Sequence, residues 1–164
     1  MFDTTITANT KAELYLELLA ALDAVTSGET DPIANMANCA ALIGQTLPDL
    51  NWAGFYRLVD GELVLGPFMG KPACIRIAMG KGVCGTAAEV QSLVRVDDVH
   101  EFPGHIACDS ASRSELVAPI VHDGRLIGVL DLDSPLLARF DADDEAGCTA
   151  IAALLGQRLA GSAP

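Results

Sequence analysis

Three cysteines, Cys74, Cys84 and Cys108, fall within one glycine-rich stretch of the sequence, residues 66–115. An ordinary hydrophobic core has no need for so many thiols beside so many flexible turns. A cysteine thiolate can be oxidised to a sulfenic acid, and a second thiolate can condense with that group to form a disulfide. We therefore hypothesise that these thiols perform redox chemistry and that the rest of the chain builds a pocket around them.

The surroundings of Cys84 and Cys108 favour reactivity for different reasons. Cys84 follows a Gly-Lys-Gly break and begins a predicted short helix, where unpaired backbone N–H groups stabilise a thiolate and lower its pKa. Cys108 lies in a polar segment predicted to be a long loop, residues 97–114, with His105 and Arg113 near it in sequence. Long loops in compact domains are usually functional or disordered. From the residues alone, either thiol could be the attacking nucleophile.

The remaining cysteines, Cys39 and Cys148, fall in predicted helices among small apolar residues and are expected to be buried and inert. Five cysteines without a recognisable signal peptide indicate a reducing cytoplasm, and the odd count leaves at least one thiol unpaired. No closely spaced ligand pair such as C-x2-C occurs, and His100 and His105 have generic spacing, so we expect no metal site.

Three carboxylates are predicted to gather on one hairpin. Asp131 and Asp133 follow an apolar strand and share one of its faces, about 6.6 Å apart along the chain. Glu115 opens the partner strand. Carboxylates on the inner face of a sheet are costly unless cations or hydrogen-bond donors meet them. The pattern is compatible with a solvated strand end beside the following Ser-Pro turn, or with a cage for the ammonium group of a ligand.

The aromatic residues of the first predicted strand are also arranged on one face, because Trp52, Gly54 and Tyr56 alternate along it. They could simply fill the core. Alternatively, they form an aromatic wall with an open floor at Gly54, since glycine in a strand often marks close approach by a ligand or by backbone.

The chain has 164 residues and a mass of 17.1 kDa, which favours a single domain over residues 1–164. Its formal net charge of −12 argues against binding to nucleic acid or to anionic membrane surfaces. No apolar run approaches the length of a membrane span.

The predicted elements give an α+β fold. Two helices come first, over residues 11–25 and from Pro32 to just before Pro48. Two hairpins turn at Asp-Gly pairs, at 60–61 and 123–124, and a last helix follows Asp141. Hairpin-linked strands with terminal helices predict a central antiparallel sheet with the N- and C-terminal helices packed on one face.

This order of elements resembles a GAF domain, a small-molecule-binding fold. Over residues 51–147 the chain resembles the free methionine-(R)-sulfoxide reductase family nearly motif for motif. The matching segments are NWAGFY, LGPFMGKPACIRI, GKGVCGTAA, VDDVHEFPGHIACDSASRSELV, IGVLDLDS and RFDADDEAG.

The resemblance implies a GAF-fold enzyme that reduces free L-methionine (R)-S-oxide, and not the oxidised residue within proteins. It also implies thioredoxin as the reductant and no metal or organic cofactor. A homodimer is a fold-level expectation. The family's reactive cysteines match Cys74, Cys84 and Cys108, its aromatic pocket residues match Trp52 and Tyr56, and its acidic residues match Glu115, Asp131 and Asp133.

We assign the attack on sulfur to Cys108, with Cys84 or Cys74 resolving, and Cys84 remains a rival for the attack. The acids are expected to meet the substrate ammonium, and one of them must be protonated to donate to the departing oxygen. Two alternatives are a GAF module that binds a ligand and signals, and a cysteine-based peroxidase or redox sensor. The first needs no set of three thiols, and the second leaves the acids and aromatics without a purpose.

Overall fold

The computed structural model describes residues 6–104 and 109–160, so the predictions for His105 and Cys108 lie outside the described residues. The helices are α1 (Lys11–Thr26), α2 (Pro32–Thr46), α3 (Gly82–Val90) and α4 (Ala142–Leu159), with a 3-10 turn at Val99–Glu101. The strands are β1 (Trp52–Val59), β2 (Glu62–Gly70), β3 (Arg76–Ala78), β4 (Val94–Val96), β5 (Ser114–His122) and β6 (Arg125–Ser134).

The strands form a six-stranded sheet in the order β3-β2-β1-β6-β5-β4, and each pairing between neighbours is antiparallel. The predicted central antiparallel sheet is therefore confirmed. Both hairpin turns have the predicted chemistry. Asp60 and Gly61 have φ of 51° and 83°, and Asp123 and Gly124 have φ of 48° and 74°. Two consecutive positive φ values define the tight turn whose twist suits a hairpin.

The helix starts follow from local capping. The Asp31 carboxylate accepts from the Ala34 N–H at 2.8 Å, and Pro32 occupies the first helical position of α2. Asp141 begins α4 with a capping box that includes Asp144. These local signals fix where the helices begin and leave their apolar faces free to pack on the sheet.

One face of the sheet is covered by α1, α2 and α4, as predicted. The core on this side is built from apolar side chains of the three helices and of β1, β5 and β6, among them Leu18, Leu22, Ile43, Phe55, Leu116, Leu130, Ile151 and Leu155. Buried Asp144 of α4 connects this helix to α1 and to the segment before α4, because Tyr15, Lys11 and Arg139 each donate to it at 2.8–2.9 Å.

Among the described residues, none of the helices has both the length and the apolar character needed to cross a bilayer.

The opposite face carries α3 and a second, smaller apolar cluster. Side chains alternate along a strand, so Trp52 and Tyr56 point into this cluster while Phe55 points to the helical layer. A pocket opens on the α3 side, over the central strands β1, β6 and β5.

Candidate active site

Three neighbouring strands bring the predicted aromatic and acidic residues together. In register, Trp52 of β1 lies opposite Asp133 of β6, and Asp133 lies opposite Glu115 of β5. Asp131 is two residues along β6 on the same face. The pocket is lined by all five predicted substrate-binding residues and by Cys84: Trp52, Tyr56, Cys84, Glu115, Asp131 and Asp133.

The aromatic wall is a stack of three rings. The Trp52 ring lies 6.0 Å from Tyr56 and 5.3 Å from Phe68, centroid to centroid, with small interplanar angles. Trp52 Nε1 donates to the Lys71 carbonyl at 3.1 Å, which fixes the ring's orientation. The idea of an open floor at Gly54 is wrong, because a Cβ at this position would lie 2.7 Å from the Trp52 ring and would also meet Phe68. Gly54 makes room for the ring stack and not for a ligand.

The carboxylates are buried, so the solvated-strand-end interpretation is wrong. Glu115 and Asp131 are each 6% exposed, and Asp133 is partly buried. Burial raises the pKa of Asp131 to about 7, even though hydrogen bonds from Cys84 and Glu115 lower it. Burial, followed by the charges of its two acidic neighbours, raises the pKa of Glu115 well above its usual value. Burial and the charge of Asp131 likewise raise the pKa of Asp133. The group therefore holds at least one proton near neutral pH.

Cys84 lies in the first turn of α3, but the predicted lowering of its pKa is wrong. Burial, and then the charges of Asp131 and Glu115, raise the pKa of the Cys84 thiol well above its usual value. Cys84 Sγ–H instead donates to Glu115 Oε1 over 3.9 Å. The effect of the helix N-terminus on the pKa is outweighed because the thiol is buried and faces carboxylates of β5 and β6.

Cys74 lies just outside the pocket, in the connection between β2 and β3, and is half-buried. Tyr56 Oη donates to the Cys74 carbonyl oxygen at 3.1 Å, so the backbone of this segment is hydrogen-bonded to the aromatic wall.

Cys39 is completely buried in the helical layer, where burial raises its thiol pKa to about 12. Cys148 is also completely buried there, and burial likewise raises its thiol pKa to about 12. Both have the inert surroundings predicted for them.

Sequence reasoning missed a set of polar residues at the pocket mouth. Asp109, which follows Cys108 in the chain, pairs with Lys71 Nζ at 3.2 Å and accepts from Asn51 Nδ2 at 3.3 Å. The Ala111 N–H, and then Lys71 and Asn51, lower the pKa of Asp109, so this residue is an anion. These positions are far apart in sequence, and the only signal was that Asp109 and Ser112 belong to the same polar segment as Cys108.

Ser112 connects this mouth to the acidic group. Its hydroxyl accepts from Asn51 Nδ2 at 3.0 Å and hydrogen-bonds to Asp133, which acts to lower the pKa of that carboxyl. Because an amide nitrogen can only donate, the hydroxyl proton is available to Asp133. Ser112 therefore offsets part of the rise in the pKa of Asp133, whereas Glu115 and Asp131 are deeper and hydrogen-bond to each other.

The site can provide a proton, a negative charge and an aromatic surface within one cavity. Its thiol and two of its carboxylates could also hold a metal ion, since ligand atoms of Cys84, Glu115 and Asp131 all lie within 4.8 Å of one another. Near an electrophilic sulfur centre, the same cavity could protonate a departing oxygen and bind a cationic group.

Comparison with known proteins places this geometry in a family. The GAF domain family matches residues 19–159. The chain is 52% identical to protein YtsP of Bacillus subtilis (strain 168), covering 98% of this chain and 99% of that protein. It is 51% identical to the free methionine-R-sulfoxide reductase of Escherichia coli (strain K12), covering 92% of this chain and 91% of that enzyme.

A solved structure of the same family is also similar to this chain in its three-dimensional fold. The X-ray structure of free methionine-R-sulfoxide reductase from Neisseria meningitidis, in complex with its substrate, superposes with a TM-score of 0.95 at 45% identity, covering 99% of this chain and 98% of that one. The chain therefore belongs to the GAF domain family and, within it, to the free methionine-R-sulfoxide reductases.

Proposed function

We propose that the protein reduces free L-methionine (R)-S-oxide to L-methionine through its cysteine thiols. The observation that carries this proposal is the buried acidic group facing the ring stack, because it combines a held proton with negative charge. In a methionine sulfoxide, the ammonium group needs the negative charge, the polarised sulfur–oxygen bond needs the proton, and the methyl group needs the ring stack. The E. coli relative's name and the substrate complex of the N. meningitidis enzyme support the assignment.

The substrate is placed by its charges and its methyl group. The methyl group packs against Trp52, since a polarised S–CH3 is attracted to an aromatic face. The ammonium meets the acidic group, for which Asp133 is best placed because it is the least buried of the three acids. The mouth is lined by Lys71 and Lys81, which suit the substrate carboxylate. A methionine sulfoxide residue within a protein chain has neither terminal charge, so it would lose both interactions.

The Cys108 thiolate attacks the sulfoxide sulfur while the Glu115–Asp131 pair donates a proton to its oxygen. The oxygen passes to the cysteine, so that thiol and sulfoxide become sulfenic acid and methionine. A second thiol then attacks the sulfenic sulfur, forming a disulfide and releasing water. An external dithiol exchanges with this disulfide and is itself oxidised.

The surroundings of the described thiols support Cys74, and not Cys84, as the resolving cysteine. The Cys84 thiol is 4% exposed, and its neighbours keep it protonated, which suits neither attack nor exchange with a protein reductant. Cys74 is more accessible and lies on a segment held beside the pocket by Tyr56. We assign the attack to Cys108 because Cys84 is a poor nucleophile in this setting and Cys39 and Cys148 lie on the other face of the sheet.

Thioredoxin is the proposed reductant, because regenerating the thiols requires a dithiol that can reach an accessible disulfide. Every described cysteine is a free thiol, which fits a reducing compartment such as the cytoplasm. A homodimer is proposed on analogy with the fold alone, and light scattering tests it.

The experiment that tests the proposed reaction is a single turnover with prereduced protein and no added reductant. We expect one methionine per chain, measured by chromatography, and the loss of two free thiols. Cys108→Ser should release no methionine, Cys74→Ser should release one but keep its sulfenic acid, and Cys39→Ser should match the wild type. Release of methionine by Cys108→Ser would overturn the assignment of the nucleophile.

A further inference from the structure

Three potential metal ligands converge on the pocket from three different elements. Cys84 comes from α3, Glu115 from β5 and Asp131 from β6. Their ligand atoms lie within 4.8 Å of one another, and the side chains are only 4–6% exposed. Ligand atoms on a tetrahedral ion with bonds of 2.0–2.3 Å are about 3–4 Å apart, so small side-chain adjustments would bring this set onto one ion.

A separate observation concerns one oxygen of the Asp131 carboxyl group. Asp131 Oδ1 is inaccessible to solvent and has no hydrogen-bond partner among the described residues, although Cys84 and Glu115 hydrogen-bond to this carboxyl group. Buried acceptors are nearly always paired, and an unpaired one costs free energy. The oxygen belongs to a side chain that lines the pocket, so a cation or a donor inside the cavity would satisfy it.

We propose that the reduced protein binds one Zn²⁺ ion through Cys84 Sγ and the carboxylates of Glu115 and Asp131, and that this ion excludes the substrate. One thiolate with two carboxylates suits zinc, whereas Mg²⁺ and Ca²⁺ require more oxygen ligands and no sulfur. Three protein ligands leave a fourth position open toward the pocket. Zinc is an inhibitor in this account, not a cofactor.

The charge balance of the site favours replacement of its bound protons by a zinc ion. Coordination deprotonates the ligands, so Cys84 and the Glu115–Asp131 pair would release their protons to solvent as the Zn–S and Zn–O bonds form. The doubly charged ion then offsets the two carboxylates and the thiolate, which otherwise repel one another. Exclusion of the substrate rests on the proposed function, because it requires the ammonium and the sulfoxide to enter this cavity. Binding of the metal does not rest on it.

The sequence could not show this site. Zinc motifs are recognised by ligands two to four residues apart, and these ligands are at positions 84, 115 and 131. The antiparallel pairing of β5 with β6, and the packing of α3 on both, bring them together.

The binding test uses reduced, metal-free protein freed of thiol reductant, dialysed to equilibrium against Zn²⁺, with bound metal measured by elemental analysis. We expect one ion per chain. Cys84→Ser and Asp131→Asn should each weaken binding at least about tenfold. Cys74→Ser and Cys108→Ser should stay within about twofold of the wild type. Unchanged binding by Cys84→Ser and Asp131→Asn, or loss of the ion in Cys74→Ser or Cys108→Ser, would overturn the site.

A second measurement keeps the test decisive if a variant folds poorly. Cd²⁺ bound to a thiolate gives ultraviolet charge-transfer absorption, which the wild type and Glu115→Gln should show at saturating metal and Cys84→Ser should lack. Circular dichroism establishes that each variant is folded before titration. An identical absorption change in folded Cys84→Ser would contradict the assignment of this thiol.

The link to substrate is tested in single turnover, where no thioredoxin system is present to react with zinc. Zinc should raise the substrate concentration needed for half-maximal rate without changing the rate at saturating substrate. If zinc binds through these three residues and lowers only the saturating rate, exclusion of the substrate is wrong. If zinc binds and no methionine is ever formed without zinc, the proposed function fails and the metal site stands.

Discussion

At the scale of single residues, the central feature is a carboxylate that retains its proton near neutral pH. Burial raises the pKa of Asp131 to about 7, against hydrogen bonds from Cys84 and Glu115 that lower it. The sequence placed these three acids on one hairpin, and their common face was predictable from the alternation of strand residues. Their depth was not predictable, because it depends on α3 and the ring stack, which close the pocket from distant parts of the chain.

Replacing Asp131 should separate catalysis from stability. Asp131→Asn keeps the size of the side chain but removes the shared proton, so we expect turnover to fall at least about 100-fold, the usual contribution of a general acid. At about pH 4, where Asp131 is protonated in the folded protein, the free energy of unfolding should change by about 1 kcal/mol or less, since no formal ion pair is lost. Steady-state kinetics and urea denaturation measure the two quantities. Equal losses in both would remove the support for a catalytic role.

The same carboxylate should make stability depend on pH. Its folded-state pKa of about 7 is above the unfolded value of about 3.9, so between these values the folded protein binds a proton that the unfolded chain does not. The slope with pH is then negative, and wild-type stability falls as pH rises from about 4 to about 7, by up to about 4 kcal/mol.

Asp131→Asn lacks this titration, so its melting temperature should rise relative to the wild type as pH increases from about 5 to about 8. Differential scanning calorimetry of both proteins across this range measures the difference. Two curves that remain parallel would show that Asp131 does not titrate there.

At the scale of elements, the segments that carry the proposed redox cysteines are joined by one ion pair. Lys71 lies in the segment leading to Cys74, and Asp109 directly follows Cys108. Asn51, at the start of β1, holds Asp109 from a second direction. These contacts fix Asp109 at the mouth of the pocket. Sequence patterns could not predict this pairing, because its members are on separate loops.

Lys71→Met should therefore slow the reaction without unfolding the protein. We expect turnover to fall about three- to tenfold because the thiol is positioned less well, and little change in stability because the Lys71 side chain is 69% exposed. Arg76→Met is the matched control, since Arg76 forms an exposed pair with Glu62 at 3.1 Å and neither residue lines the pocket. Equal slowing of both variants would point to loss of surface charge instead of positioning.

At the scale of the whole molecule, one face of the sheet contributes stability and the other face carries the candidate active site. The helical layer contributes most of the apolar core, while the α3 face carries the pocket. Hairpin turns, caps and helical periodicity in the sequence were enough to predict the central sheet and the helices on one of its faces. The ring stack over Gly54 and the raised pKa of Cys84 were missed because both arise from contacts between elements.

A variant of Asp144 tests whether stability and activity are separated between the two faces of the sheet. Asp144 is fully buried on the helical side, where it accepts hydrogen bonds from Tyr15, Lys11 and Arg139. Asp144→Ala leaves the Arg139 guanidinium, itself nearly buried, without this partner, so the free energy of unfolding should fall by about 3 kcal/mol or more. Turnover measured well below the melting temperature should stay within about twofold of the wild type. A large loss of turnover in the folded variant would contradict the separation of the two faces.

The most direct test of the central claim compares free L-methionine (R)-S-oxide with its N-acetylated form in one assay. Thioredoxin, thioredoxin reductase and NADPH supply electrons, and the loss of NADPH measures turnover. Acetylation removes the ammonium charge and leaves the sulfoxide unchanged, so we predict a fall in kcat/KM of at least about 100-fold, as for a lost charged contact in a buried site. The S epimer should also be inactive. Equal rates with the free and acetylated R epimers would contradict the claim that the buried acids recognise a free amino acid.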